Sequence, residues 1–274
     1  MHAHRPVPYA LLGDPVEHSL SPRIHNAAFR ALGIDAHYVA RRLRGEHVPR
    51  LARALAAAGG GGNVTVPHKQ RILAALDAPS ETVQRTGACN TFWAGPLGVH
   101  GENTDVAGFR QAAAHHGVAL RDARVLLLGA GGAAAAVIAA LLEEAVGRVD
   151  VANRTPARAA ELVGRFAALG PVRAVPQPAA SEYDVVVNAT SLGLDPRDPL
   201  PLPPGELRPG TRVLDLVYAP GGTRWVHAAR AHGCPAFDGA EMLLRQAAAA
   251  FRCWTGREAP LDVMRNALFP RPGA

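Results

Sequence analysis

Lys69 is the only lysine in the chain, so every other one of the 29 Lys and Arg residues is arginine. Arginine serves wherever a fixed positive charge suffices, but its guanidinium keeps its proton, whereas a lysine ammonium can give one up. A lysine that survives such a bias points to proton transfer. The asparagines are similarly placed: Asn26, Asn63, Asn90, Asn103, Asn153 and Asn188 all fall in short polar motifs, and only Asn266 lies outside them. The first motif, Gly13 to Asn26, sets the hydroxyls of Ser19 and Ser21 beside a helix start, an arrangement that can hold a carboxylate. Asn63-Val64-Thr65-Val66-Pro67-His68-Lys69 supplies an amide, a hydroxyl and the lysine at the end of a strand. Gly87 to Thr91 and Gly101 to Gly108 add Asn90, Asn103, Thr104 and the carboxylate of Asp105. Amides and hydroxyls around one ammonium and one carboxylate suit general acid–base chemistry on an alcohol or a carbonyl. Read singly, each motif also has a structural use, Asp105 as a helix cap and Lys69 as a solvated cation.

A second constellation is a cofactor signal. Gly129-Ala130-Gly131-Gly132-Ala133 directly follows the apolar run Val125 to Leu128 and opens an Ala-rich helix. In that context the G-x-G-x-x-G/A pattern is a dinucleotide fingerprint: glycine lets the turn tighten, and free N–H groups at the helix start attract a pyrophosphate. The next strand ends Ala152-Asn153-Arg154-Thr155. An acidic residue there would accept the ribose 2′-hydroxyl of NAD, whereas Arg154, with Asn153, Thr155 and Arg158 adding donors, can clamp the 2′-phosphate of NADP. The pattern therefore predicts NADP, the alternative being an arginine that only caps the following helix. Asp150 lies inside the strand, too early to reach the ribose.

The elements that must position these groups alternate. Strands are expected at Val7 to Leu12, Tyr38 to Leu43 and Gly62 to Val66, with helices from Ser21, serine capping and Pro22 following, and over Val48 to Ala57. Cys89 to Ala94 and Leu97 to Gly101 read as paired strands before a helix from Asp105 to His115. Beyond Arg124 come the strands Arg124 to Leu128, Val149 to Ala152, Asp184 to Asn188 and Val213 to Val217, the glycine turn and its helix to Ala145, and a helical tail from Gly239 to Leu268. Strand–helix alternation argues an α/β fold with mainly parallel sheets. At roughly 150 residues per domain, 274 residues make about two domains.

Composition removes several classes of function. With 48% hydrophobic and 19% charged residues the chain is neither disordered nor a bilayer protein, and no long apolar run marks a signal peptide or a span. Three cysteines without C-x-x-C spacing suit a reducing cytoplasm. The net charge of +6 can steer small anions, but the arginine patch Arg41 to Arg53 has no interleaved aromatics for nucleic acid. No H-E-x-x-H or comparable ligand spacing suggests a metal, and His2 and His4 sit at the terminus. The absence of a G-x-S-x-G elbow argues against a hydrolase.

In order and spacing the motifs resemble the shikimate dehydrogenase family. The resemblance runs from G-x-P-x-x-H-S-x-S-P through N-V-T-x-P-x-K, G-A-x-N-T, N-T-D, G-A-G-G-A and N-R-T to Asn188–Gly193, Asp215–Tyr218 and Gly239–Gln246. It implies two α/β domains with a cleft between them, a substrate domain of residues 1–106 and 239–274, and a Rossmann-like NADP-binding domain of residues 107–238. C-terminal helices would return to the first domain. It implies NADP-dependent reduction of 3-dehydroshikimate to shikimate, a step of aromatic amino-acid biosynthesis, by a monomer or homodimer without nucleic-acid or membrane partners. Carried over by position, Lys69 and Asp105 would be catalytic. Ser19 and Ser21 would bind the substrate carboxylate, and Asn63, Thr65, Asn90, Tyr218 and Gln246 its hydroxyls or carboxylate. Gly129, Ala130, Gly131, Gly132, Ala133, Asn153, Arg154, Thr155 and Arg158 would hold the dinucleotide, with Thr190, Ser191, Val217, Gly239 and Met242 on the nicotinamide side. Glu17 departs from the pattern and would weaken acid binding unless it faces solvent. Competing readings are a quinate/shikimate dehydrogenase using NAD, and a nonenzymatic NADPH sensor on the same fold.

Overall fold

In a computed structural model, which describes residues 5–269, the chain divides into two units. Unit 1 comprises the chain up to Gly108 together with Leu244 onward, and unit 2 is Phe109–Leu243. The divisions fall two and five residues beyond the sequence-based boundaries, the first inside the helix Asp105–His115, which the expected boundary also cut, and the second inside the helix Ala240–Thr255, which the expected boundary had left whole. His2 and His4 lie outside the described residues.

Unit 1 carries β1 (Val7–Gly13), α1 (Ser21–Ala31), β2 (Ala36–Arg42), α2 (Val48–Ala57) and β3 (Gly61–Val64). It continues through β4 (Ala78–Pro79), α3 (Glu81–Thr86), β5 (Thr91–Gly95), β6 (Gly98–Glu102) and the start of α4 (Asp105–His115). Its sheet runs β2-β1-β3-β5-β6-β4. The β1 pairings with β2 and β3 and the β4–β6 pairing are parallel, but the β5–β6 hairpin joins β3 antiparallel, so the sheet is mixed. Val64, Ile72, Val83, Cys89, Phe92 and Val99 pack with Leu12 and the inner face of α2 into one core.

One sequence expectation fails at α1. Leu20, not Ser21, is the N-cap residue, and no side chain caps the helix; Ser21 is its first residue, and its N–H donates to Ser19 Oγ at 3.2 Å. The serine–proline pair thus sits one position further into the helix than capping requires, and the Ser19 hydroxyl serves the turn before it.

An aromatic cluster fills the other face of this sheet. His25 lies stacked on Tyr38 (ring centroids 4.7 Å, 22°) and against Trp254 at 4.7 Å, and among the described residues neither of its ring nitrogens has a hydrogen-bond partner. Complete burial pushes its pKa down to about 3. Between that value and the ordinary ~6.5 the unfolded chain binds a proton that the folded chain refuses, so stability falls as pH drops below about 6.5, by about 1.4 kcal/mol per unit. His25→Phe keeps a ring in the stack without the proton. Relative to wild type it should gain about 2 kcal/mol between pH 7.5 and pH 5 in urea unfolding, from that slope over the last 1.5 or so units. An unchanged difference at the two pH values would remove His25 from the acid response.

Unit 2 begins within α4 and holds β7 (Arg124–Leu128), α5 (Gly132–Glu143), β8 (Arg148–Ala152), α6 (Pro156–Phe166) and β9 (Val172–Ala174). Then follow β10 (Val185–Asn188), β11 (Arg212–Asp215), α7 (Arg224–Ala231), β12 (Ala236–Phe237) and the start of α8 (Ala240–Thr255). The rest of α8 and α9 (Leu261–Leu268) belong to unit 1, where α9 packs on α1. All six strands are parallel in the order β12-β11-β10-β7-β8-β9. Renumbered within the unit, this is the 3-2-1-4-5-6 order of doubly wound dinucleotide domains. The continuous apolar strands β7 and β10 suit burial on both faces, and α5 is buried from Ala134 to Leu141 because its alanines let it lie close to the sheet.

Candidate active site

The chemistry-bearing residues of unit 1 follow the carboxyl ends of the parallel strands β1 and β3, the end at which open α/β sheets bind ligands. Ser19 and Ser21 come after β1. Asn63 is the penultimate residue of β3 and Thr65 and Lys69 follow it, with the Thr65 N–H donating to Leu12 O at 2.9 Å. Asn90 precedes β5, and Asp105 opens α4.

Two of these residues, Lys69 and Asp105, form an ion pair. Lys69 Nζ lies 2.5 Å from Asp105 Oδ2, and only 13% and 8% of the two side chains reach solvent. The other carboxylate oxygen, Oδ1, accepts from Asn90 Nδ2 at 2.8 Å. The orientation of the Asn90 amide is fixed, because the Thr104 N–H, which can only donate, faces its Oδ1 at 2.8 Å. Each oxygen of Asp105 thus has its own donor, which pins the plane of the carboxylate and through it the ammonium. Gln246, on α8, brings Oε1 to 3.4 Å from Asn90 Nδ2. α8 approaches this closely because Gly108 lacks a side chain: a Cβ there would stand 2.7 Å from Gln246 Cβ.

Glu17 faces solvent beside a cation. Arg42 reaches its Oε1 at 3.4 Å and Asp14 at 2.6 Å, the Glu17 side chain is half exposed, and backbone N–H bonds hold its carboxyl below the usual range. Tyr218 is the one expected substrate residue that lies in unit 2, half-buried beyond the end of β11.

In unit 2 the expected cofactor segments leave the carboxyl ends of four adjacent strands: Gly129 to Ala133 after β7, Asn153 to Arg158 after β8, Thr190 and Ser191 after β10, and Val217 after β11. Gly129 has φ +111°, and a Cβ on it would come within 2.8 Å of Ala189 O, so both the turn and the neighbouring strand require glycine. Gly131 is the N-cap of α5, and a Cβ there would meet nothing within 4 Å, so the face before the helix is open. The first intrahelical bond runs from Ala135 N to Gly131 O, which leaves the N–H groups before it free for an anion.

Arg154, Thr155 and Arg158 are exposed, and among the described residues neither arginine has an ion pair. Asn153 turns its amide to Thr155 O at 2.9 Å, so it shapes the turn. Asp150 is fully buried inside β8, bound by Arg173 at 2.7 Å and Tyr183 Oη at 2.7 Å, and its carboxyl stays below the usual range because these donors outweigh its burial. No carboxylate therefore opposes a 2′-phosphate at the end of this strand, and the donor set fits NADP.

Asn188 locks the next segment, accepting from Thr190 N and Oγ1 and donating to Asp215 Oδ1 at 2.8 Å. Asp215 also takes Thr223 Oγ1 at 2.7 Å and Val217 N at 3.1 Å, which ends β11 two residues before the expected Val217. Burial raises its pKa. Gly239 is buried with its N–H on Val217 O, and Met242 beside it is buried as well. Both line a small pocket with Phe109, His116, Leu216 and Asp238. Among the described residues, no group of three or more His, Cys, Asp or Glu is arranged to hold a metal ion.

A two-unit α/β chain with a dinucleotide-type glycine turn has the plan of a nicotinamide-dependent dehydrogenase. Residues 11–92 match the family described as shikimate dehydrogenase substrate binding domain, residues 111–193 shikimate / quinate 5-dehydrogenase, and residues 239–269 the shikimate 5'-dehydrogenase C-terminal domain. A shikimate dehydrogenase (NADP(+)) of Moorella thermoacetica is 45% identical, the match covering 97% of this chain and 93% of that relative. Among solved structures, shikimate 5-dehydrogenase of Thermus thermophilus in complex with NADP(H) and shikimate is 40% identical with a TM-score of 0.87, over 96% and 98% of the two chains. Quinate dehydrogenase of Corynebacterium glutamicum in complex with NAD is 31% identical with a TM-score of 0.86, over 96% and 99%. The chain belongs to the shikimate dehydrogenase family.

Proposed function

We infer that the chain catalyses the reversible reduction of 3-dehydroshikimate to shikimate with NADP. The observation that carries this reading is the Lys69–Asp105 pair, held on its far side by Asn90, in a family whose similar members are named for that reaction. When bound at the glycine turn and Arg154, NADP supplies the hydride acceptor for shikimate oxidation and, reduced, the donor for the reverse. Lys69 works on the oxygen: its amine takes the hydroxyl proton as the carbonyl forms, and its ammonium returns it to the developing alkoxide. Asp105 keeps the amine aimed and balances its charge. Ser19 and Ser21 hold the substrate carboxylate, and Asn63, Thr65, Gln246 and Tyr218 its remaining polar groups. Asn90 spends its amide on Asp105 and Thr104, so its part is to orient the carboxylate. Thr190, Ser191, Val217, Gly239 and Met242 form the nicotinamide side of unit 2. No helix among the described residues is long and apolar enough to cross a membrane. Cys89, Cys234 and Cys253 are free thiols, which suits a reducing cytoplasm, where the chain would act as a monomer or homodimer.

The test is formation of reduced cofactor from shikimate and from quinate, each with NADP and with NAD. Shikimate with NADP should give the highest kcat/KM. A preference for quinate with NAD would select the other dehydrogenase activity, and no turnover with NADP binding intact would select the sensor. Arg154 is the discriminating group. Arg154→Ser should raise KM for NADP about thirtyfold, the loss of a charge-assisted bond of about 2 kcal/mol, and leave KM for NAD nearly unchanged. Equal effects on both cofactors would mean that Arg154 only shapes the start of α6.

A further inference from the structure

His25 and Asn26 belong to the first polar motif, yet neither has a part in the chemistry above. Both act on Tyr38. Asn26 grips its backbone, donating from Nδ2 to Tyr38 O at 2.8 Å and accepting Tyr38 N–H at 2.9 Å, while His25 stacks on its ring and Trp254 packs beside it. Trp254 is itself tied down by its Nε1–H bond to Thr91 Oγ1 at 2.8 Å. The Tyr38 ring is 1% exposed, and its hydroxyl reaches Asn63 Oδ1 at 2.8 Å.

The direction of each bond in this chain is forced. Asn63 faces the backbone carbonyl of Asn90 at 3.1 Å, and a carbonyl only accepts, so the Asn63 amino group must point there. Its Oδ1 then faces Tyr38, whose hydroxyl must donate. Burial supports this by pushing the Tyr38 pKa well above its ordinary value. The second amide N–H of Asn63 then has no partner among the described residues and remains able to donate.

We propose that Tyr38 is a positioning residue of the substrate site, fixing the Asn63 amide so that it offers a donor, and hence selects a hydroxyl or carbonyl oxygen on the ligand. The inference rests on Asn63 being a substrate contact. Without the Tyr38 hydroxyl, Asn63 Oδ1 is buried without a donor, and only the bond to Asn90 O is left to hold the amide.

The test is a double-mutant cycle read as the dissociation constant of shikimate by calorimetry and as KM and kcat. Tyr38→Phe should weaken shikimate about tenfold, mostly in KM, with kcat falling less than threefold and a retained cooperative thermal unfolding transition reporting that the chain is folded. In an Asn63→Ala background the same change should do nothing more. Equal effects in both backgrounds, or no effect of Tyr38→Phe while Asn63→Ala weakens binding, would overturn the positioning role and leave the functional reading intact. If Asn63→Ala itself has no effect, the assignment of Asn63 and the proposal fall together. Asn63→Asp tests the donor polarity without touching Tyr38: it keeps an acceptor for the hydroxyl but has no N–H to offer. It should bind shikimate no better than Asn63→Ala, and wild-type affinity would overturn the proposal.

Discussion

Lys69→Arg lowers kcat about a thousandfold and leaves the dissociation constant of NADP within twofold of wild type. The charge is preserved, so whatever Lys69 contributes as a cation to the Asp105 pair is largely retained. What is lost is the ability to take up and return a proton, since guanidinium stays charged at any pH the fold survives. Positioned general acid–base groups contribute about 10²- to 10⁴-fold, which sets the size of the loss. The planar, longer head also has to fit where a compact ammonium meets Asp105 Oδ2 at 2.5 Å. NADP affinity reports on unit 2, where none of the expected segments includes Lys69. Steady-state kinetics with saturating shikimate and a separate NADP titration measure both quantities, and a wild-type kcat would end the proton-transfer role.

Asp105→Asn should lower kcat about a hundredfold, and the reason lies in the two donors that the carboxylate satisfies. Asn90 Nδ2 approaches Oδ1 and Lys69 Nζ approaches Oδ2, so an amide at 105 has only one oxygen to offer. Whichever way it turns, its own amino group faces a donor. Turning the Asn90 amide to relieve the clash would set its amino group against the Thr104 N–H, now bonded to Oδ1 at 2.8 Å. The ammonium is thereby released from its aim, and misplacement by about 1 Å can cost about 10²-fold. Asp105 spends its carboxylate on Lys69 and Asn90 rather than on the helix backbone, so α4 should form, while the buried ammonium left without its partner should lower thermal stability. If KM for shikimate rose and kcat stayed at the wild-type value, Asp105 would be a binding group.

The sequence disclosed the site better than its wiring. Lys69, Asp105 and the glycine turn were legible because each is a local signal: a unique residue type, or a motif in its strand–helix context. The Lys69–Asp105 pairing spans 36 residues and the Tyr38–Asn63 bond 25, and no periodicity reports contacts of that kind. Tyr38 looked like one more residue of a strand, although the Asn26 in the quoted motif is what fixes it. Asn90 looked like a ligand group, yet Thr104 and Asp105 occupy its amide. The mixed character of the first sheet was hidden for a related reason. The hairpin of β5 and β6 was visible, but which strand it would join, and in which direction, is a tertiary choice. Helices α3, α6 and α7 and the short strands β4, β9 and β12 went unread, being short or carrying their apolar residues in broken patterns.

The measurement closest to the central claim is a crystal structure of the complex with NADP and shikimate. Lys69 Nζ should lie about 2.6–3.2 Å from the shikimate hydroxyl that becomes the carbonyl, with Asp105 still bridging to Asn90. An amine standing more than about 5 Å from that oxygen, beyond any hydrogen bond, would contradict the account whatever the fold.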